Sequence, residues 1–435
     1  MLASYQQAYE RSLDPKAPAF LRERRQAGIE RFAALGFPNR RMEEWKYTSV
    51  EPIASREFQL GGDKEVARFT LEEMHRMAFC VLPGPRLVFL NGHFHPALSD
   101  ISGLPAGVRC KSLAQALQED AASLEAHLGR QVEGQGRAFV ALNDAFLQNG
   151  AYLFLPRGTI LPQPIQLLFV SHGNGQAVVS HPRVLVVAEA QSQATLIETY
   201  VGQGTYFTNA VTEIAAGEGA VIEHIKLQGE SESAFHIASI GVQQSRDSQY
   251  TSHSLSLGAA LARNDLGTVL GAEGAGATLN GLYMVSGSQH VDNHTNIDHA
   301  KPHCTSAELY KGILDGKSQG VFNGRILVRP DAQKTSSQQS NKNLILSDDA
   351  LINTKPLLEI YANDVKCNHG ATIGRLDANQ VFYLRSRGID AALARSILTY
   401  AFASDVVALM RQEPLRERLQ QWIFARLMPG KEVAA

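Results

Sequence analysis

The 435-residue chain carries 41 basic and 43 acidic residues, a formal net charge of −2 at pH 7. Domains that bind nucleic acid are usually strongly basic, so this balance argues against nucleic-acid binding as the main function. The length is sufficient for a large core, and it allows either two or three domains or one long repetitive domain with small flanking domains.

The beginning of the chain and its cysteines predict a cytoplasmic protein. The first residues, MLASYQQAYERSLD, have no apolar segment after a basic one, so they do not resemble a secretory signal. No apolar run approaches the roughly 20 residues that a membrane helix needs. The four cysteines lie far apart without a C-x-x-C pair, which argues against disulfides and zinc fingers and favours a reducing compartment. They are Cys80, Cys110, Cys304 and Cys367.

Residues 1–136 form the first predicted domain, which is helical and mixed. Apolar residues of Leu21–Leu35 recur on one side of a helical projection, which predicts a helix. The run Arg40–Tyr47 predicts a solvated helix end whose Trp45 and Tyr47 pack at the start of the next domain, because isolated aromatic residues belong to cores more often than to sites.

Residues 137–375 form the second predicted domain, and short strands recur in it roughly every dozen residues, as in all-β domains. No helical period separates the strands, which argues against an alternating βαβ sheet. They outnumber the seven to nine strands of a typical sandwich, so the pattern favours a parallel β-helix of stacked coils. The clearest strands are Val184–Val187, Ala194–Val201, Ala210–Ala215, Val221–Leu227, Ile237–Val242, Ser252–Leu257, Thr268–Leu270 and Thr278–Val285.

The end of this domain carries the first candidate site. Three further strands are predicted there, at Val321–Val328, Asn343–Leu346 and Leu358–Cys367. A thiol and an imidazole, Cys367 and His369, are separated by one residue, and residues i and i+2 of a strand point to the same face. If the strand extends this far, both side chains can bind one external atom, such as a metal ion.

Residues 376–435 form the third predicted domain, which is helical. Asp377 and Asp390 are good N-caps for helices at Ala378–Arg387 and Ala391–Arg411, and Pro414 opens a third helix at its first turn. A small helical domain in this place can close the last coil of a β-helix or serve as a docking module.

Two further motifs have a structural and a functional interpretation. The run Lys311–Ser318 resembles a phosphate-binding loop, but Lys311 stands where the motif needs glycine and no helix pattern follows, which favours a β-turn. The run His290–Cys304 is rich in His, Asp and Cys, which are ligands of zinc and iron. Its spacing matches no metal-site template, so a set of polar residues that satisfy backbone groups between coils is the favoured interpretation.

Several blocks of the last third of the chain form a recognisable set, among them GLYMVSGSQHVDNHTNIDHAKPHC and TKPLLEIYANDVKCNHGATIG, and the run RRMEEWKYTSV stands near the start. In these blocks the chain resembles the SufB/SufD family, the scaffold proteins of the Suf iron–sulfur cluster assembly system. Within the family, the length, the few cysteines and the ending C-x-H-G-A-T are similar to the D branch, SufD. The blocks of the last third that carry the resemblance are GLYMVSGSQHVDNHTNIDHAKPHC, LYKGIL, GVFNGRILVRPDAQKTSSQQSNKNLILS, TKPLLEIYANDVKCNHGATIG and FYLRSRGI.

The resemblance implies a mainly β fold, a right-handed parallel β-helix flanked by N-terminal and C-terminal helical domains. It implies a non-catalytic scaffold that pairs with the Suf B subunit through the last strands and docks the ABC-type ATPase through its C-terminal helices. The resemblance also implies that His369, with Cys367 beside it, is this subunit's ligand for iron or for a cluster that passes through the complex. No cofactor is expected to stay bound. A homodimer is an open possibility for the isolated chain.

Two other function classes remain as alternatives. A β-helix enzyme that acts on polysaccharides would use Asp348, Asp349 and Arg325 or Arg329 in an exposed groove, but no paired-carboxylate frame is evident. A metalloprotein would use the His290–Cys304 run.

Overall fold

The computed structural model describes residues 2–62, 70–79, 81–132, 134, 136–173 and 175–428. Cys80 and the last seven residues of the predicted C-terminal domain lie outside this part of the chain. The fold is mainly β, a parallel β-helix flanked by helices, which confirms the predicted class. None of the described helices is long and apolar enough to cross a membrane.

The strands of the β-helix are mostly eight to eleven residues long. They are β1 (Gln59–Leu60), β2 (Arg86–Leu90), β3 (His93–Phe94), β4 (Arg109–Ser112), β5 (Gly150–Leu155), β6 (Ile165–His172), β7 (Val178–Ser180), β8 (Arg183–Ala188), β9 (Gln193–Gln203), β10 (Tyr206–Ala216), β11 (Val221–Gly229), β12 (Phe235–Gln244), β13 (Gln249–Ser256), β14 (Leu261–Leu270), β15 (Gly276–Val285), β16 (His290–His299), β17 (Thr305–Leu314), β18 (Gln319–Val328), β19 (Ser336–Ile345), β20 (Leu351–Ile360) and β21 (Lys366–Gly374).

These strands form two sheets, and each coil contributes one strand to each sheet. Sheet I has the order β20-β18-β16-β14-β12-β10-β8-β5-β4, with β1 and β7 beside it. Sheet II has the order β21-β19-β17-β15-β13-β11-β9-β6-β2-β3. From β5 and β6 onwards, neighbouring strands within a sheet are parallel, as stacked coils require.

The helices lie mainly before and after the coils. They are α1 (Leu2–Arg11), α2 (Ala19–Leu35), α3 (Glu51–Ala54), α4 (Leu71–Met77), α5 (Leu113–Glu119), α6 (Ala121–His127), α7 (Ala138–Ala145), α8 (Ala378–Ser386), α9 (Ala391–Val407) and α10 (Glu413–Leu427), with 3-10 turns at Glu43–Trp45 and Pro96–Leu98.

The coils stack in register, and the register decides which side chains meet inside. Along sheet I, Leu266 on β14, Thr295 on β16 and Gly324 on β18 occupy one position of successive coils. Alternate residues of each strand face the interior, where apolar side chains such as Ile297 and Ile326 are fully buried.

N-terminal residues cover the outer face of sheet I. The rings of Phe139 on α7 and Phe207 on β10 pack edge to face, and Trp45 packs against Phe139. The guanidinium carbon of Arg263 on β14 lies 3.9 Å from the ring centroid of Trp45. The predicted packing role is therefore confirmed for Trp45, whereas Tyr47 is 39% exposed, and the segment is a single 3-10 turn instead of a helix end.

A buried ion cluster joins this N-terminal segment to strand β16. Asp292 accepts hydrogen bonds from Arg263 at 2.7 Å and from the Thr48 hydroxyl at 2.6 Å. Burial disfavours the charged form of Asp292, but the Arg263 guanidinium and His294 hold its pKa well below the usual range. Despite its own burial, His294 pairs with Asp292 at 2.9 Å, and this pair raises the pKa of His294 to about 9.

Helices α9 and α10 lie on the outer face of sheet II. Val406 and Leu419 are fully buried in the same apolar cluster as the outward side chains of that sheet. Lys311 on β17 donates to the carbonyl oxygen of Phe402 at 3.1 Å and pairs with Asp405 at 2.5 Å. These helices therefore cover a side of the β-helix and leave strand β21 exposed.

The predicted caps of the C-terminal helices are confirmed. The carboxylates of Asp377 and Asp390 accept backbone N–H groups at the start of α8 and α9. Helix α9 ends at Val407, four residues before its predicted end, and the N–H of Arg411 bonds the carboxylate of Glu223 on β11 instead.

The boundaries predicted for the last strands are partly wrong. Leu358–Cys367 is not one strand, because the chain turns between Ile360 and Lys366 from sheet I to sheet II. Ala362 is buried inside this corner, so the apolar pattern continues through it although no strand does. Likewise, Asn343–Leu346 covers only the end of the ten-residue strand β19.

The His294 pair makes stability depend on pH. A folded pKa of about 9, above the value of 6.5 for an exposed histidine, means that the full stabilisation is present below pH 6.5 and is lost as the pH rises through 9. We expect the melting temperature of the wild type to fall more than that of His294→Gln between pH 6.5 and 9.5, by the equivalent of ~2 kcal/mol.

Differential scanning fluorimetry across this pH range measures the effect. His75→Gln, at an exposed position on α4, is the control for the loss of one histidine and should follow the wild type. Parallel curves for the wild type and His294→Gln would contradict the assignment of this pH dependence to His294.

Candidate functional site

Strand β21 places Cys367 and His369 on the inward face of the last coil. It pairs with β19 so that Cys367 aligns with Ser337, and His369 with Gln339. Ser337 and Gln339 are buried inside the β-helix, so the side chains aligned with them point toward the same interior. The two candidate residues therefore share a face, as their spacing predicts.

The two side chains differ in their surroundings. Cys367 is half-buried and packs against the apolar interior, whereas His369 is exposed because no further coil covers β21. Burial raises the pKa of the Cys367 thiol, and a backbone hydrogen bond from Ser337 only partly opposes this rise. The thiol is therefore mainly protonated at neutral pH and must lose its proton to bind a metal ion.

A polar ladder continues from His369 into the β-helix. Glu308 on β17, Gln339 on β19 and His369 occupy one register position of sheet II. The Nε2 of Gln339 donates a hydrogen bond to the Oε2 of Glu308 at 2.6 Å. Glu308 is only 3% exposed and Gln339 only 2%. The ladder therefore runs from a buried carboxylate to an imidazole at the open end of the β-helix.

Exposed apolar side chains surround this open end. Strands β20 and β21 are the terminal strands of their sheets, so each presents an unpaired edge. Unpaired edges and clustered exposed apolar residues are typical of interaction sites. The large apolar residues exposed on β20, β21, the corner between them and α8 are Leu351, Ile360, Tyr361, Ile373, Phe382 and Tyr383.

The His290–Cys304 run does not form a metal site. Near its start, Asp292 pairs with His294 and Arg263 in the ion cluster described above. Near its end, His299 bonds a serine hydroxyl, Asp298 pairs with Arg329, and the Cys304 thiol donates to a backbone carbonyl. Among the residues that the structure describes, no group of three or more His, Cys, Asp and Glu side chains is arranged to hold a metal ion. The structural interpretation of this run is therefore the better supported one.

The phosphate-loop candidate is a turn between two coils. Strand β17 ends at Leu314, and β18 begins at Gln319. Gly316 has φ of +64°, a left-handed conformation that favours glycine in a tight turn. No helix follows the turn, so it lacks the N-terminal dipole that binds phosphate in such loops.

The groups considered for a polysaccharide-active enzyme tie the coils together. Arg325 pairs with Glu359 on the next strand of sheet I at 2.6 Å. At an exposed turn, Asp348 pairs with Arg375 at 2.6 Å. Arg329 likewise pairs with Asp298, so these candidate groups are used in ion pairs of the fold and lend no support to the acid and base of glycoside hydrolysis.

Two models of known protein families match this chain. A model described as the SufBD protein N-terminal region matches residues 2–167. A second model, of the SufBD core domain of the SUF system for FeS cluster assembly, matches residues 169–402. The chain belongs to the SufBD family.

Relatives of this SufBD chain match it over most of its length. An iron–sulfur cluster assembly SufBD family protein of Synechocystis is 36% identical, over 94% of this chain and 91% of the relative. The iron–sulfur cluster assembly protein SufD of Escherichia coli is 33% identical, over 93% of both chains. The protein of the same name from Bacillus subtilis is 27% identical over 64% of both chains.

Glu308 and Gln339 are residues that the sequence analysis missed. Gln339 lies 31 residues after Glu308 and 30 residues before His369, which is the length of one coil here. A search for polar residues at this period would have aligned the three positions. The spacing of about a dozen residues between strands corresponds to half a coil, because each coil contains two strands. It therefore does not show which residues of successive coils are aligned.

The burial of Cys367 leads to a testable expectation about its reactivity. Because its pKa is raised, the rate of alkylation by iodoacetamide should still increase between pH 8.5 and 10. Mass spectrometry of the native full-length protein measures the modification of Cys367, and the fully buried Cys304 serves as the internal control. A rate that levels off below pH 8 would contradict this expectation and would indicate an activated thiolate.

Proposed function

We propose that this SufBD chain is a SufD-type, non-catalytic scaffold subunit that acts in iron–sulfur cluster assembly in the cytoplasm. Its similarity to the SufD relatives supports the type of subunit. The observation that carries the proposal is the open last coil, where an inward-facing thiol and imidazole lie at an unpaired edge surrounded by exposed apolar residues.

The B subunit of the Suf complex is the proposed partner at this open end. A second β-helix that stacks there would satisfy the free backbone groups of β20 and β21 and bury Ile360, Tyr361 and Ile373. The isolated chain has the same unpaired edge, so we propose that it forms a homodimer there when the B subunit is absent.

The ABC-type ATPase is the proposed partner of the C-terminal helices. No residue of α8 is buried, and Phe382 and Tyr383 are 71% and 56% exposed. Exposed aromatic side chains on a helix are common anchors of interfaces. The next helix, α9, is joined to β17 through the Lys311–Asp405 ion pair, so a displacement of the helices by the ATPase would be transmitted to the coils.

Iron or a nascent cluster is the proposed cargo at His369 and Cys367. Imidazole nitrogen and thiolate sulfur are both ligands of iron, and two ligands from one chain leave positions for ligands of the partner. We propose that the cluster forms only while the complex is assembled, and that no cofactor stays stably bound to the isolated chain.

The two proposed interfaces can be separated by single substitutions. A carboxylate in the apolar surface of β21, Ile373→Asp, should reduce copurification of the B subunit roughly tenfold while the ATPase is retained. Phe382→Asp should reduce copurification of the ATPase while the B subunit is retained. Coexpression of the three subunits with a tag on this chain, followed by quantification of each subunit, measures both effects.

A matched control is available at the other end of the β-helix. Ile160 is 61% exposed there, so Ile160→Asp adds the same charge at a distance from both surfaces. Equal losses in Ile160→Asp and Ile373→Asp would show a general effect of charge and would refute the interface at the open end.

His369→Ala tests the role of the imidazole. We expect the complex to assemble normally because the exposed apolar side chains proposed to form the interface are unchanged, while the yield of clusters falls roughly tenfold because a ligand is lost. Anaerobic reconstitution followed by transfer to an apo-ferredoxin measures the yield, and His75→Ala is the control. An unchanged yield would reduce His369 to a structural residue of the last coil.

A further inference from the structure

Glu308 differs from the other carboxylates buried inside the β-helix. Glu198 pairs with His224, and Glu230 pairs with His236. In the described part of the chain, Glu308 has no ion-pair partner, and its Oε1 makes no hydrogen bond. Burial raises its pKa to about 7, although the nearby Thr295 and Gln339 side chains partly oppose this rise. Burying an unpaired carboxylate in a core reduces the free energy of unfolding, so such a group is more often kept for function than for stability.

The hydrogen bond to Glu308 fixes the amide group of Gln339. Because Nε2 donates to the carboxylate at 2.6 Å, the carbonyl Oε1 is the end of the amide that remains available. This oxygen is buried and has no partner among the described residues. Unpaired oxygen atoms on Glu308 and on Gln339, with the Thr295 hydroxyl near that of Glu308, therefore lie inside the coils that precede β21.

His369 lies on the next strand at the same position. Side chains aligned on neighbouring strands have Cβ atoms roughly 5 Å apart, so a cation bound by His369 is within reach of the Gln339 side chain. Cys367 points to the same interior two residues earlier. Nitrogen, oxygen and sulfur donors of this kind suit a divalent first-row metal ion such as Fe²⁺.

We propose that Gln339 is a further metal ligand, which binds a divalent cation through Oε1 together with His369 and Cys367. Glu308 is its positioning residue, which holds the amide nitrogen so that the oxygen faces the cation. The inference rests on the proposed function, since it adds residues of this chain to the site of the cargo. On binding, the Cys367 thiol loses its proton to solvent at the open end.

Titration of the isolated full-length chain with Co²⁺ under anaerobic conditions tests this inference. Cobalt is the probe because its visible absorption reports the nitrogen, oxygen and sulfur donors around it. The wild type should bind one ion, and His369→Ala should lose the site. Gln339→Leu, which keeps the size of the side chain but removes the oxygen, should weaken binding by about tenfold.

Gln338→Leu is the matched control for this substitution. Gln338 is the same residue type on the same strand, but its side chain is exposed on the outer face. Its affinity for Co²⁺ should equal that of the wild type. An affinity of Gln339→Leu equal to that of Gln338→Leu, with both proteins folded by circular dichroism, would overturn the proposal.

A double-mutant cycle tests the positioning role of Glu308. Glu308→Gln should weaken binding several-fold, and in the Gln339→Leu background it should have no further effect, because Glu308 acts through Gln339. Independent losses that multiply would refute this role. The Glu308→Gln protein should also be at least as stable as the wild type, since it loses a buried ionisable group.

The inference and the proposed function can fail separately. Absence of a Co²⁺ site in the isolated wild-type chain would overturn the inference, whereas His369 could still act in the complex with ligands from the partner. Conversely, Co²⁺ binding that depends on Gln339, combined with a normal cluster yield in His369→Ala, would leave the metal site in place and remove the role in cluster assembly proposed for it.

Discussion

Pairing in register between successive coils is the constraint on which the structure depends. Among the described coils, strands such as β16 to β19 pair with a strand on each side, and the next coil covers their inward side chains. The last coil has only one neighbour, so β20 and β21 keep an unpaired edge. The same constraint explains why Gln339 is buried while His369, at the same register position one coil later, is exposed.

The helices and the N-terminal segment leave this end as the principal open surface of the coils. On sheet I, Asp292 binds Arg263 and Thr48, which fixes the N-terminal segment across the strands. On sheet II, Lys311 fixes α9 through Asp405 and a backbone carbonyl. Arg263, Asp292 and Lys311 are buried, whereas Asp405 is exposed. Ionic interactions are stronger in buried positions than on an exposed surface, so the attachment on sheet I is the better protected one.

Much of the fold follows from the sequence, because the strands of a β-helix are short, regular and separated by recognisable turns. The shared face of Cys367 and His369 also follows, since it needs only the period of a strand. The corner between β20 and β21 does not, because the buried Ala362 continues the apolar pattern through it. The alignment of Glu308, Gln339 and His369 does not follow either. It depends on the register between coils, which the spacing of residues within a single strand does not predict.

The two ends of the β-helix are not equivalent, and this difference limits how large an assembly can grow. At the N-terminal end, the sheets finish in the short antiparallel strands β3 and β4, which offer no long parallel edge to another coil. If the chain associates through its open end, as proposed, it reaches a closed pair after a single association step. The architecture thus prevents the fibre formation that is expected of a parallel β-helix with an unpaired edge at both ends.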